Sequence, residues 1–459
     1  MFDSQPARIR KLNSASIRSG RYVLYWMQQS QRVQWNHALT RSIERANELH
    51  QSVVVGFGIT EDYPDANVRH YQFMLEGLRE VEESLRNRGI QFVLRIGQPS
   101  DVALELAREA SCIVCDRGYT RHQKTWRNTV AEKSRCLVEE VESDVVVPLH
   151  AVTGKREYAA RTIRPKIHRL LPEYLCKFQE IEPTLSSLGI PMECIDISDI
   201  PDVLKRLSLD KSVSGVDSHF TGGTSHAMNR FDEFLERGFH HYDDNSNQPQ
   251  TDDCSHMSPY LHFGQISPLY LSYRVMESDP ADTANRDAYI EELIVRRELA
   301  MNFVEFTDDY DSFSCLPDWC KKTLGEHSRD PREHLYTRRQ LESADTHDPY
   351  WNAAMKEMIC TGFMHNYMRM YWGKKILEWT SSPEDAYATI LHLNNKYFLD
   401  GRDPNSYTGV AWIFGLHDRA WTERPVFGKI RYMAASGLER KCDIIGYVEK
   451  VKRLCRRSQ

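Results

Sequence analysis

Between residues 22 and 151, short apolar runs rich in β-branched residues (YVLYWM, SVVVGFGI, QFVLRIG, SCIVCD and DVVVPLHA) alternate with amphipathic stretches long enough for helices. Runs that lack an inside–outside alternation suit strands buried on both faces, so the pattern predicts an open, doubly wound parallel-sheet (Rossmann-like) α/β domain. In the stretch from Val68 to Arg88, Phe73, Leu75, Leu78, Val81 and Leu85 recur at helical spacing and predict one broad buried side. Residues 186–225 lose this regularity and read as an ordered surface loop or a linker. Past Ser225 strand-like runs disappear and helical periods take over, which predicts a bundle of many helices. The expected organisation is an arm at 1–20, an α/β domain at 21–185, a linker at 186–225 and a helical domain at 226–459.

Several helices of the second half carry their own punctuation. Asp348 can cap a helix with Pro349 in its first position, Trp351 in its first turn and Gly362 at its end. Ser382, Pro383 and Glu384 open another, running to about Tyr397 and delivering the chain into LDGRDPNSY (399–407).

Composition narrows the class. With 459 residues, 41% hydrophobic and 27% charged, the chain suits a soluble globular protein of two or three domains. No apolar run approaches the roughly 18 residues a membrane span needs, and the basic start has no apolar core behind it, so it reads as a loose arm. Eleven scattered cysteines fit a reducing intracellular setting better than a disulfide framework. Cys112 and Cys115 form a CxxC inside an expected strand, where positions three apart face opposite ways, so a shared metal is not expected. His334, His347, His365, His392 and His417 show no zinc-ligand spacing. The net charge of −6 argues against indiscriminate nucleic-acid binding, yet basic residues gather at 155–169, at Arg296 with Arg297, and at 450–458, each a local basic surface or a solvated face.

Candidate chemistry concentrates late in the chain. Trp351, Trp372, Trp379, Trp412 and Trp421 stand close in sequence, interleaved with LDGRDPNSY. Trp372 and Trp379 lie about two turns apart on one expected helix and share a side with Arg369, as an electron relay or a plain packing stripe would. The DGRDPN run combines two carboxylates, a guanidinium and an amide in a tight turn, and Asp400 can pair with Arg369 across helices. The remaining polar groups would suit a flavin with its ribityl and adenosine parts, or would hold the turn by their own salt bridges. In the first domain Gly56 and Gly58 are followed by no third glycine opening a helix, so the dinucleotide fingerprint is absent. In CSHMSPYLHFGQIS, Ser255 and Ser258 precede Pro259 at a helix start suited to phosphate. In EELIVRREL, Glu292 falls on the face of Arg296.

Taken in order, REYAARTIRPK, SPYLHFGQIS, EELIVRREL, THDPYWN, RMYWGKKILEW, LDGRDPN, HDRAW and RPVFGKIRYM run through nearly the whole chain. They resemble the class II cyclobutane pyrimidine dimer photolyases of the photolyase and cryptochrome family. The resemblance implies an N-terminal antenna domain and a helical domain that holds FAD. Excited reduced FAD would repair a dimer flipped out of duplex DNA by passing it one electron that later returns. It implies a deazaflavin or folate antenna as an optional second chromophore, UV-damaged DNA as partner, no metal, no obligate protein partner, a monomer, and a cytoplasmic location or the nucleus or nucleoid. Residue by residue, Trp372, Trp351 and Trp379 match the family's electron relay, with Tyr336 at its outer end. Asn394, in HLNNKY, matches the asparagine beside the flavin's redox-active nitrogen. Arg369 and Asp400 match the flanking salt bridge, Tyr242, Ser255 and Ser258 the phosphate contacts, and Asp403 a polar contact. Glu292 matches the carboxyl that binds the dimer, and Trp412 a wall of its pocket. Arg164, Lys166, Arg296, Lys429 and Arg431 are the expected DNA contacts.

Three places depart from the family pattern: DDNSNQPQ follows Tyr242 where an Arg-Asn-x-Pro segment is expected, Met301 replaces an acidic residue, and the segment from Trp412 to His417 is one residue short. A cryptochrome-like blue-light photoreceptor with weak or no repair activity is the alternative reading, and Trp421 has no expected role beyond packing.

Overall fold

The computed structural model describes residues 5–278 and 282–457. Its sheet comprises β1 (Ile9–Lys11), β2 (Tyr22–Trp26), β3 (Ser52–Ile59), β4 (Gln91–Ile96), β5 (Ala110–Asp116) and β6 (Leu137–Val141), in the order β1-β6-β5-β2-β3-β4. All neighbours pair in parallel except β1, which runs antiparallel on β6. The chain steps outward from β2 to β4 and then crosses back to β5 on the other side of β2. Strand order therefore reverses there, and the loops leaving the carboxyl ends of β2 and β5 part to form a crevice.

Helices α1 (His37–Leu49) and α2 (Val68–Asn87) cover one face of the sheet, and α3 (Pro99–Leu106) packs on the other. On α2, Leu75, Leu78, Val81 and Leu85 are buried against the sheet. Phe73 instead turns to Tyr260 and Phe263 of the helical half, so α2 is shared between both cores. Cys112 and Cys115 sit on opposite faces of β5, as the strand period requires.

Two expectations for this half change. DVVVPLHA forms no strand; the last strand is LVEEV (β6). Its Glu139 and Glu140 are buried yet fully paired, Glu139 with Arg41 and Arg45 at 3.1 and 2.7 Å and Glu140 with Arg127 and Arg10 at 3.1 and 2.7 Å. Val145, Val146 and Val147 are buried without a ladder because side chains replace the missing strand. Glu298 Oε1 accepts the N–H groups of Val146 and Val147 at 2.7 and 3.0 Å. Arg8 donates to the carbonyls of Glu142, Val145 and Val146 at 3.0, 2.9 and 2.6 Å. Residues 5–20 are therefore no loose arm, since β1 and the buried Arg8 tie them to the sheet; residues 1–4 lie outside the described residues.

Residues 186–225 run along the surface but are anchored, with Ile197, Ile200, Val203 and Leu207 buried in the α/β core. Further on, α4 (Arg121–Lys133) and α5 (Ala160–Tyr174) precede the helical half, which contains α6 (Ser258–His262), α7 (Arg297–Glu305), α8 (Pro349–Thr361), α9 (Asn366–Trp379), α10 (Pro383–Tyr397), α11 (Pro404–Ile413) and α12 (Ile444–Arg457) among its helices. Only an isolated bridge, Arg424 with Gly428, represents β pairing there among the described residues. Asp348 caps α8 by accepting from Tyr350 and Trp351 N–H at 2.9 and 3.0 Å, and Gly362 ends the helix with a left-handed φ of 73°. Ser382 caps α10. Lys450 of α12, in the basic run that ends outside the described residues at Ser458, donates to the carbonyl of Thr251 at 2.6 Å and pairs with Asp252 at 3.2 Å. That lysine holds a loop rather than facing outward. Among the described residues no helix is long and apolar enough to cross a membrane.

Candidate active site

α10 feeds a turn whose backbone is closed locally: Gly401 N–H donates to the Phe398 carbonyl at 3.0 Å, and Leu399 N–H reaches back to the Gly362 carbonyl at 2.9 Å. Arg402 is forced to a left-handed φ of 66°, after which Asp403 caps α11 with Pro404 in its first position. Because the turn reverses so sharply, its charged side chains leave in different directions. Asp400 grips Arg369 of α9 through two bonds of 3.0 and 3.1 Å, and the guanidinium lies 3.9 Å over the Phe398 ring. Asp403 Oδ2 lies 3.3 Å from His262 Nδ1. Burial alone would raise its pKa, but the His262 bond and charge and Arg297 bring it below the ordinary value. Arg402 turns away from both, buried against His70 and the Asn395 carbonyl.

On the side where Asp400 and Asp403 point, the helices enclose a cavity of about 590 Å³. Arg369, Asn394, Asp400 and Asp403 line it together with Tyr242, Ser255 and Ser258. Asn394 Nδ2 donates to Asn395 Oδ1 at 3.0 Å. Ser255 accepts from Tyr289 at 3.1 Å, and burial beside Glu292 and Tyr289 pushes the Tyr242 phenol well up. The Ser258 hydroxyl and the Trp372 indole N–H, both on the wall, have no partner among the described residues.

Glu292, Arg296 and Trp412 line the same cavity. Residues Glu291–Arg296 form a π-turn rather than the expected α-helix, and this changes the ion pairing. Arg296 reaches Glu291 at 3.0 Å, while Glu292 stands 4.0 Å away. Glu291 also takes both arms of Arg164 from α5, at 2.9 and 2.7 Å. Arg296 lies over the Trp412 ring at 5.5 Å. Glu292 is thereby released from the expected solvated pair and faces the cavity. Glu292 is half-exposed at the cavity, and its partial burial raises the carboxyl pKa, opposed by Arg296 and reinforced by Glu291.

From the cavity wall an aromatic path runs outward. The Trp351 indole N–H donates to the Trp372 carbonyl at 2.9 Å. Trp351 and Trp379 meet edge-on with centroids 5.7 Å apart, and Trp379 meets Tyr336 at 5.5 Å. All three indoles are buried.

The expected DNA contacts do not form one group. Arg164 and Arg296 share Glu291 at the cavity, and Lys166 pairs with Glu157, so their charges are already met. Lys429 is exposed on a separate loop, where Arg431 and Arg419 lie 5.2 and 5.0 Å over the half-exposed Trp421 ring. Trp421 is thus held at the surface by two cations, not packed inside.

Of the departures from pattern, Met301 is buried in the helical core, and Asn302 beside it holds the 155–157 backbone by bonds of 2.9 and 2.7 Å. Asp243 lines the cavity in the DDNSNQPQ segment, an acidic group where a cation was expected. Reasoning from sequence also missed Glu291, whose double pairing depends on the π-turn, and His262, whose only signal is its place in SPYLHFG.

A second, mainly apolar pocket opens at the strand-order reversal. The segment after β2 is folded there by Asp116 at the end of β5, which accepts from the N–H groups of Gln28, Gln29 and Ser30 at 2.9, 3.0 and 3.0 Å. Gln29, Tyr63 and Trp126 meet His262 and Arg402 around it. Among the described residues no group of three or more His, Cys, Asp or Glu is placed to hold a metal ion.

Residues 23–185 match the family model described as DNA photolyase. A deoxyribodipyrimidine photo-lyase of Methanothermobacter thermautotrophicus is 48% identical, covering 97% of this chain and 98% of the relative. A protein of the same name from Arabidopsis thaliana is 38% identical over 98% of this chain and 93% of its own length. Among solved structures, a bacterial class III photolyase from Agrobacterium tumefaciens superimposes with a TM-score of 0.71 at 15% identity, over 95% of this chain and 87% of the other, which supports the two-part fold. Similarity of this extent, covering nearly the whole of this chain and of its relatives, establishes that the chain belongs to the DNA photolyase family.

Proposed function

We propose that this chain is a deoxyribodipyrimidine photo-lyase of the class II type, splitting cyclobutane pyrimidine dimers in DNA with light and bound FAD. The observation that carries the reading is the single cavity that joins Arg369–Asp400, Asn394 and the Tyr242, Ser255 and Ser258 wall to Glu292, Arg296 and Trp412. The fit with a flavin dinucleotide rests on this donor set. The unpartnered Ser258 hydroxyl and Trp372 N–H await an acceptor, and the volume lies in the range of ligand sites.

Reduced FAD, when bound, absorbs light and supplies one electron. The chain's own groups do the rest. Tyr242, Ser255 and Ser258 would hold the phosphates, the Arg369–Asp400 pair and Asp403 the ring system and ribityl side, and the Asn394 amide the redox-active edge. Glu292, biased toward its protonated form, would donate a hydrogen bond to a pyrimidine carbonyl and steady the charge that builds there on electron arrival. Trp412 would stack on the flipped dimer, and a poorly paired lesion costs less to extrude, which gives selectivity. Trp372, Trp351 and Trp379 would restore the cofactor's reduced state. The pocket at the strand reversal is the proposed seat of an antenna of deazaflavin or folate type.

The test is recovery of intact thymines in UV-damaged oligonucleotide under blue light with reduced holoprotein. Glu292→Ala is expected to lower repair yield by on the order of tenfold or more while FAD stays bound. A flavin-loaded wild-type protein that repairs nothing would favour a photoreceptor, and an unchanged yield in Glu292→Ala would remove Glu292 from the chemistry.

A further inference from the structure

Beyond Trp379 the aromatic path does not stop at one ring. Tyr336 meets the Trp379 indole at 5.5 Å, and His347 meets the same indole at 5.1 Å. The Tyr336 hydroxyl lies 2.7 Å from His347 Nδ1 and accepts the His347 backbone N–H at 3.0 Å. Tyr336 N–H in turn donates to the Trp379 carbonyl at 3.1 Å, so the backbone fixes the phenol against the indole. With the backbone N–H already on the oxygen, the phenolic proton is aimed at the imidazole nitrogen.

A phenol that loses an electron becomes a strong acid and must shed its proton to a base within hydrogen-bond reach. We propose that His347 is that base: it takes the Tyr336 proton as Tyr336 fills an electron hole on Trp379, and this makes Tyr336 the terminal donor of the relay. The inference rests on the relay reading above and adds the residue that completes it. The step balances. One electron passes from Tyr336 to the Trp379 radical cation, and one proton passes from Tyr336 Oη to His347 Nδ1. Neutral Trp379, a neutral tyrosyl radical and an imidazolium remain. A thiolate reductant from solution then returns one electron, becoming a thiyl radical, and the proton goes back from Nδ1 to the phenolate oxygen.

The surroundings favour this direction. The Lys375 ammonium, shared with Glu378 at 2.6 Å, lies 5.8 Å over the Trp379 ring and disfavours a positive hole there. A neutral tyrosyl radical carries no such penalty. His334 stacks on His347 at 3.8 Å. Partial burial, then His334 and Lys375, lower the His347 pKa against the opposing charges of Asp348 and Glu333, which favours the neutral imidazole that can accept.

The experiment generates the Trp379 hole in the holoprotein in two ways, by a light flash on oxidised flavin and by azide radicals from pulse radiolysis, which oxidise tryptophan without light. Tyrosyl radical is followed by transient absorption and electron paramagnetic resonance, with Tyr336→Phe assigning the signal. Wild type is expected to form the radical more slowly in D₂O than in H₂O, and more slowly as pH falls through the His347 titration. His347→Gln is expected to slow formation on the order of 100-fold and to remove the pH dependence, with Trp379 oxidation itself unchanged. Formation at the wild-type rate in His347→Gln, or no isotope effect, would overturn the assignment. If the flash gives no Trp379 hole but radiolysis gives His347-dependent tyrosyl radical, the relay reading fails and the proton acceptor stands.

Discussion

Trp372→Phe is expected to abolish light-driven reduction of oxidised flavin while leaving repair by chemically reduced protein nearly untouched. The expectation follows from position. Trp372 is the one relay indole on the cavity wall, while Trp351 hangs from its carbonyl at 2.9 Å and Trp379 stands behind Trp351 at 5.7 Å. Phenylalanine fills similar space but is much harder to oxidise, so the first step is lost and the two outer indoles are stranded. The indole N–H has no partner among the described residues, so its removal orphans no acceptor there and the fold should hold. Absorbance under blue light with an external reductant measures the loss, and dithionite-reduced protein in the thymine-recovery assay measures what is retained. Retained photoreduction would show that electrons enter by another route.

Glu298→Ala should be the most damaging change to stability. Glu298 is buried, and its Oε1 alone satisfies two N–H groups of a segment with no strand partner. Alanine would orphan both donors, at about 1–3 kcal/mol each. Burial raises its pKa to about 8 against the pull of the two N–H groups, and its second oxygen has no hydrogen-bond partner among the described residues. The sign of the linkage follows. The folded pKa of about 8 lies above the unfolded value of about 4.3, so this group's contribution is complete below pH 4.3 and is lost as pH rises through 8. Between those limits it falls by about 1.4 kcal/mol per pH unit. Glu298→Gln keeps the accepting oxygen and does not titrate, so its denaturant midpoint should lose this decline, lying nearest to wild type at low pH and above it at pH 7. A Gln variant with the wild-type pH slope would place the titration elsewhere.

What could be read from sequence was what local chemistry decides. The apolar spacing on α2, the Asp348–Pro349…Gly362 punctuation of α8 and the Ser382 start of α10 each depend on neighbouring residues alone, and each formed. The Arg369–Asp400 pairing was accessible because the turn offered few partners for a carboxylate of that reach. What stayed hidden depended on distant groups. LVEEV does not read as a buried strand until Arg41, Arg45, Arg127 and Arg10 arrive to neutralise its glutamates. DVVVPLHA reads as a strand because nothing in it announces that Glu298 and Arg8 will serve as its hydrogen-bonding neighbours. Glu291 escaped notice because a π-turn shifts which carboxylate meets Arg296, and no residue pattern marks that shift. His347 looked like any surface histidine until Tyr336, eleven residues earlier, was brought against it.

The turn at 399–403 also works as a ruler. Asp400 and Asp403 face the large cavity, whereas Arg402, between them in sequence, lines the pocket at the end of the sheet, and His262 borders both. The two chambers therefore meet across one short turn of the helical half, while the α/β domain supplies most of the second chamber's wall. Two pigments held as proposed would have their separation and mutual tilt set in part by this turn. Transfer of excitation depends steeply on both quantities, so an antenna seated as proposed would lose transfer on any insertion in these five residues.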